Sequence, residues 1–95
     1  MDLAAFYSRF IDLADRILPA LPPAEQTVFI QLFARTIAVD SQTCRLSYAD
    51  WTHLTRLSIP TIKSALKNLQ EKGCLRVVQI GSARQASSYE ILWPQ

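Results

Sequence analysis

Between Ser58 and Asn68 the chain gathers side chains suited to binding rather than to bond-making. Ser58, Pro60, Thr61, Lys63, Ser64, Lys67 and Asn68 fall within three helical turns. On a helix, Lys63 and Lys67 stand one turn apart on one face. Hydroxyls, a carboxamide and two ammonium groups presented together offer hydrogen bonds to base edges and positive charge to phosphates. A proline beside them can lie against a thymine methyl. Arg56 precedes this stretch and Arg84 follows it in a polar loop. Their guanidinium groups have the charge and reach to contact a phosphate backbone or enter a narrow minor groove.

Residues for catalysis do not assemble in the same way. His53 is the only histidine, so no Ser-His-Asp set and no two-histidine metal pair can be built. Two glycines are too few for a phosphate-cradling loop. Cys44 and Cys74 lie far apart, and neither has a Cys or His at metal-ligand spacing. They read as reduced, buried thiols, His53 as a surface residue, and Trp51 and Trp93 as core or interface aromatics. The expectation is therefore a non-enzymatic protein with no cofactor and no metal.

Charge is distributed unevenly. The net charge is +2. Residues 1–42 set Arg9, Arg16 and Arg35 against Asp2, Asp12, Asp15, Glu25 and Asp40, a balance of −2. Residues 43–84 set Arg45, Arg56, Lys63, Lys67, Lys72, Arg76 and Arg84 against Asp50 and Glu71, a balance of +5. Glu90 is the remaining charge. One face built for an anionic partner would produce this asymmetry.

The elements that must carry these residues follow from pattern. With 95 residues, 49% of them hydrophobic, the chain reads as one domain with a buried core. Thr27–Val39 is its longest nearly apolar stretch, and it is too short and too polar to span a bilayer. No basic run precedes an apolar segment at the N-terminus, so a cytoplasmic location is the default expectation.

Residues 2–18 predict a helix with a seam of Leu3, Tyr7, Phe10, Ala14 and Ile17, its apolar side widened by Phe6, Ile11, Leu13 and Leu18, ended by Pro19. Pro22-Pro23 opens a second, central helix that runs through the apolar stretch. Cys44–Leu46 reads as a short extended piece. Ser47 caps a third helix, with Asp50 in a capping-box arrangement and Ala49, Trp51 or Thr52, Leu54 and Leu57 facing inward. Ser58 caps a fourth helix that buries Ile62, Ala65, Leu66 and Leu69 and closes on Gly73. Leu75–Ile80 and Ser88–Trp93 then form an antiparallel hairpin around a loop at residues 81–87.

The order is α-α-β-α-α-β-β, mainly α with a small β-hairpin. Within it, Ala49, Leu57-Ser58, Thr61-Ile62, Ala65-Leu66, Leu69 and Glu71-Lys72-Gly73 resemble the winged helix-turn-helix DNA-binding domains of bacterial transcriptional regulators. The match covers about a third of the chain directly and about half with the hairpin. The resemblance implies a winged-helix core over 23–93, with recognition helix 58–72 in the major groove and the 81–87 wing on the backbone or minor groove. The site residues would be Arg56, Ser58, Pro60, Thr61, Lys63, Ser64, Lys67, Asn68 and Arg84. The chain departs from the pattern at Arg56, where these families often carry the glycine of the sharp turn.

The resemblance also implies double-stranded DNA as partner, no membrane, and a homodimer through the extra N-terminal helix 1–18. Two other roles use the same architecture, a protein-protein interaction module and the DNA-binding part of a replication or plasmid-maintenance protein. The target site and any effector ligand leave no trace in the sequence.

Overall fold

The computed structural model describes residues 2–81 and 85–94. Helix α1 spans Leu3–Asp12, with the Asp2 carboxylate accepting from the Ala5 amide at 2.7 Å as its N-cap. Pro19 has no N–H for the carbonyl four residues earlier, and the ladder loosens before it. Leu13–Ile17 forms a π turn, closed by the Leu18 N–H on the Leu13 carbonyl, and Leu18–Ala20 tightens into a 3₁₀ turn.

This change of pitch alters which side chains meet the core. Leu13 and Ile17 are buried, while Leu3, Tyr7 and Ala14 are exposed and Phe10 is partly so. The uniform seam expected along residues 2–18 is thus replaced by two faces. Ala14 continues the exposed face of Leu3, Tyr7 and Phe10, and the inward places go to Leu13 and Ile17.

The Gln26 side chain donates to the carbonyls of Leu18 and Leu21 at 2.8 and 2.9 Å, tying down the proline-rich connector. Helix α2, Pro23–Arg35, buries Val28, Phe29, Leu32 and Phe33 and so is central, as its composition predicts. It ends four residues earlier than the apolar run does. The buried Thr36 hydroxyl donates to the Leu32 carbonyl at 2.6 Å, and the Thr36 backbone leaves the helical region. Ile37–Val39 is a 3₁₀ turn with Val39 exposed.

Strand β1 is Thr43–Leu46. Helix α3, Tyr48–Thr55, begins with the capping box between Ser47 and Asp50. It buries Trp51 and Thr55, and Ala49 faces solvent rather than the core because it lies across the helix from both. Helix α4 is Ile59–Glu71, and strands β2 and β3 are Leu75–Gln79 and Ser87–Ile91. Gly73 joins helix to strand at φ +76°, a left-handed closure that suits glycine.

Among the described residues the sheet is antiparallel in the order β1-β3-β2. Cys44 faces Tyr89, Val77 faces Tyr89 from the other side, and a bulge lies between Val77 and Gln79. Tyr89 meets Trp51 edge-on, ring centres 5.6 Å apart, which joins the sheet to α3. Both thiols are free, with Cys74 buried and Cys44 half-buried. Burial pushes both above the ordinary thiol range. No helix among the described residues is long and apolar enough to cross a membrane.

The C-terminal tail closes over α1. Trp93 packs on Phe29 and Phe33, and its indole N–H donates to the Asp12 carboxylate at 2.6 Å. Arg16 donates to both Asp12 oxygens and to the Pro94 carbonyl, and Arg9 lies 4.9 Å over the Trp93 ring.

The Arg16 and Trp93 hydrogen bonds hold the Asp12 carboxyl down to about 2. Its folded value lies below the unfolded one, near 4, so this stabilisation is complete above about pH 4 and is lost as pH falls toward 2. In urea titrations, the stability lead of the native chain over Asp12→Asn should shrink between pH 5 and pH 2. A constant lead would show that the network does not stabilise the tail.

Candidate nucleic-acid interface

The site rests on the anchoring of α4. Ile62, Ala65, Leu66 and Leu69 are buried, at successive positions of one helical stripe. The opposite side is therefore turned outward, and Pro60, Lys63, Ser64 and Lys67 are all exposed there. Of the outward residues expected from the sequence, these four are uncovered, while Thr61 and Asn68 are half-buried. Ile59 and Gln70 are exposed beside it, and Glu71 ends it with a negative charge.

The helix start is held by local bonds. The Ser58 hydroxyl donates to Thr61 Oγ1 at 2.9 Å and accepts the Thr61 amide at 3.4 Å. Thr61 is half-buried. Ser58 is thus the cap of α4, and its hydroxyl proton is engaged by Thr61. Both oxygens keep acceptor capacity, and Thr61 keeps its own hydroxyl proton, so the donor left for a phosphate is that of Thr61 and not that of Ser58.

Arg56 lies at the turn between α3 and α4 with φ +60°. Its N–H reaches the Thr52 carbonyl at 2.8 Å, and Thr55 steadies the next step, donating to the Trp51 carbonyl and accepting the Leu57 amide. The exposed side chain is directed away from the core and lies next to the start of α4.

Asn68 does not belong to the free ridge. It is half-buried, and its amide donates to Glu25 Oε2 at 3.3 Å. Lys72 donates to Glu25 Oε1 at 2.6 Å. Glu25 is itself buried, at the start of α2, so this carboxylate couples α2 to the far end of α4. Sequence reasoning missed that role. A lone glutamate at a helix start reads as a dipole partner, and nothing local announces residues 43 and 47 positions away.

Lys63 is placed differently. Its ammonium stands 5.2 Å over the Tyr48 ring, a cation-π contact that holds the side chain against the start of α3. No ion-pair partner for Lys63, Lys67 or Arg56 occurs among the described residues. Arg76 is paired to Glu90 at 2.7 Å across the hairpin. Arg84 lies outside the described residues. His53 is exposed, and no three His, Cys, Asp or Glu side chains come together among the described residues.

Among the described residues, Lys63, Lys67 and Arg56 thus stand without an ion-pair partner around one exposed helix face, and the hairpin flanks it. Such a surface can bind a polyanion through charge and present hydroxyl and lysine donors to its interior edges. Among known proteins, no family model, no curated protein and no solved structure matches the chain.

The Arg56 backbone makes its own test. A residue with a Cβ is disfavoured in the left-handed region, and glycine is not. Arg56→Gly should raise stability by ~0.5–1 kcal/mol, seen as a Tm gain of a few degrees in a thermal melt. A lowered Tm would show that the arginine side chain contributes more than the turn costs.

Proposed function

We propose that the chain is a winged helix-turn-helix protein that binds double-stranded DNA, acting in the cytoplasm as a transcriptional regulator. Ser58–Lys72 is the recognition helix, entering the major groove by its N-terminal half. The hairpin from Leu75 to Trp93 is the wing. The order of helices and strands, the tight turn at Arg56 and the hairpin immediately after α4 support this reading. The observation that carries it is the exposed ridge of Pro60, Lys63, Ser64 and Lys67 set opposite a fully buried stripe. Lys63, Lys67 and Arg56 supply phosphate contacts, and Ser64 and Pro60 face base edges. Binding, not catalysis, is the role, and no cofactor is needed. The same surface serves a replication or plasmid-maintenance protein equally well, since the difference lies in the DNA site.

A second component of the proposal is a homodimer through α1. Leu3 is 81% exposed and Tyr7 64%, with Phe10 and Ile11 partly exposed beside them. An apolar arc of that extent on a surface helix marks a contact site. A two-fold pairing would present two recognition helices to two half-sites and raise the affinity of a small basic face. The same exposed arc also favours the alternative of a protein-interaction module with an idle recognition face.

Fluorescence anisotropy on duplex DNA across a salt series tests the first component. Three or four phosphate contacts give a log–log slope of roughly −3 per protomer. Lys63→Ala with Lys67→Ala should reduce that slope by about 2 while leaving the fold intact. Absence of binding at low salt, with a stable heterologous complex instead, would select the interaction module.

Sedimentation tests the second component. Leu3→Ser with Tyr7→Ser should turn a concentration-dependent dimer into a monomer, and a native chain that sediments as a monomer at all concentrations would refute it.

A further inference from the structure

The two flanks of α4 are chemically unlike. On one side a cleft of about 550 Å³ separates the helix from the hairpin. Lys63 and Lys67 form its helix wall, with Tyr48 under Lys63, and Val77, Ile80 and Tyr89 form its apolar floor and far wall. Ile80 is 85% exposed, an unusual place for an isoleucine. Glu71 closes the cleft at the C-terminal end of the helix. On the opposite flank, Asn68 and Lys72 are both engaged by the buried Glu25 carboxylate.

A helix lying in a major groove has a sugar–phosphate strand on each side, because the groove is only about as wide as the helix. Each strand is anionic at its phosphates and apolar along its deoxyribose edges. The cleft matches both properties with unpaired ammonium groups on one wall and aliphatic surface on the other. The Glu25 flank matches neither, since its one ammonium is already neutralised.

Resting on the DNA-binding reading above, we propose that the body of α4 grips one strand of the duplex and not the other, with Arg56 before the helix start reaching a phosphate outside the cleft. The cleft seats that strand with a phosphate at Lys63 and Lys67 and a deoxyribose against Ile80 and Val77. The strand on the Glu25 flank passes without a counted charge contact. Affinity therefore has two separable parts, a salt-dependent one from the lysines and a salt-independent one from the isoleucine.

Three variants separate these parts in the anisotropy salt series. Ile80→Ser, on a side chain too exposed to matter for folding, should weaken binding about tenfold with an unchanged slope. Lys67→Gln should weaken binding and lower the slope by about 1. The double variant Glu25→Gln with Lys72→Gln removes both charges of the far flank and should leave the slope as it was. Native affinity in Ile80→Ser, or a slope lowered by the double variant as much as by Lys67→Gln, would overturn the one-strand grip while leaving DNA binding intact. Failure of the native chain to bind duplex DNA would overturn both. Loss of binding to an acidic protein partner, without any effect on DNA, would show that the cleft serves a protein instead.

Discussion

Four side chains on one stripe of α4 set the geometry on which the rest depends. Ile62, Ala65, Leu66 and Leu69 enter a core already organised around Phe29, Leu32 and Trp51. Each large one among them contributes about 1.5–3 kcal/mol on burial, so the helix cannot roll about its axis without losing several kcal/mol. A helix fixed in roll also has its outer ridge fixed. Pro60, Lys63, Ser64 and Lys67 are thereby held in one plane of presentation without needing partners of their own. Their freedom from ion pairs is what makes the ridge available to an anion.

The polar contacts around that anchor divide the labour. Glu25 takes up Asn68 and Lys72 and braces the far end of α4 against α2. Ser58 and Thr61 take up each other and brace the near end. Tyr48 carries Lys63, and the turn at Arg56 sets the angle between α3 and α4. Bonds that converge on the buried Glu25 carboxylate favour a single arrangement, since any shift leaves that charge unmatched. The residues between the two braces are the ones left for an outside partner.

Much of this was legible in the residues. The capping box at Ser47, the Ser58 cap, the Pro-Pro entry to α2, the buried stripe of α4, the glycine closure at Gly73 and the exposed lysines are local features, and local chemistry decides them. What escaped were effects of distance and of register. Asn68 looks exposed on a helical wheel, but its partner lies on another helix. The seam from Leu3 to Ile17 looks continuous, but a change of helical pitch divides it. The apolar run after Arg35 looks helical, but the Thr36 hydroxyl bonds back to Leu32 and the backbone turns out. Ile80 reads as the last residue of a strand, but β2 ends at Gln79 and leaves it exposed on the cleft that Lys63 and Lys67 also line. Arg84, the expected wing cation, lies outside the described residues.

The widened turn at Leu13–Ile17 has one more effect, on how this domain can vary. It accommodates one residue more than a regular helix would. Loss of any single residue there would let the backbone return to ordinary pitch, and because the wide turn already absorbs the extra residue, the helix on either side would keep its direction. Leu3, Tyr7 and Phe10 would then face as they do now. A deletion that in a regular helix turns everything upstream by about 100° is thus absorbed in this segment without re-aiming the outer helix.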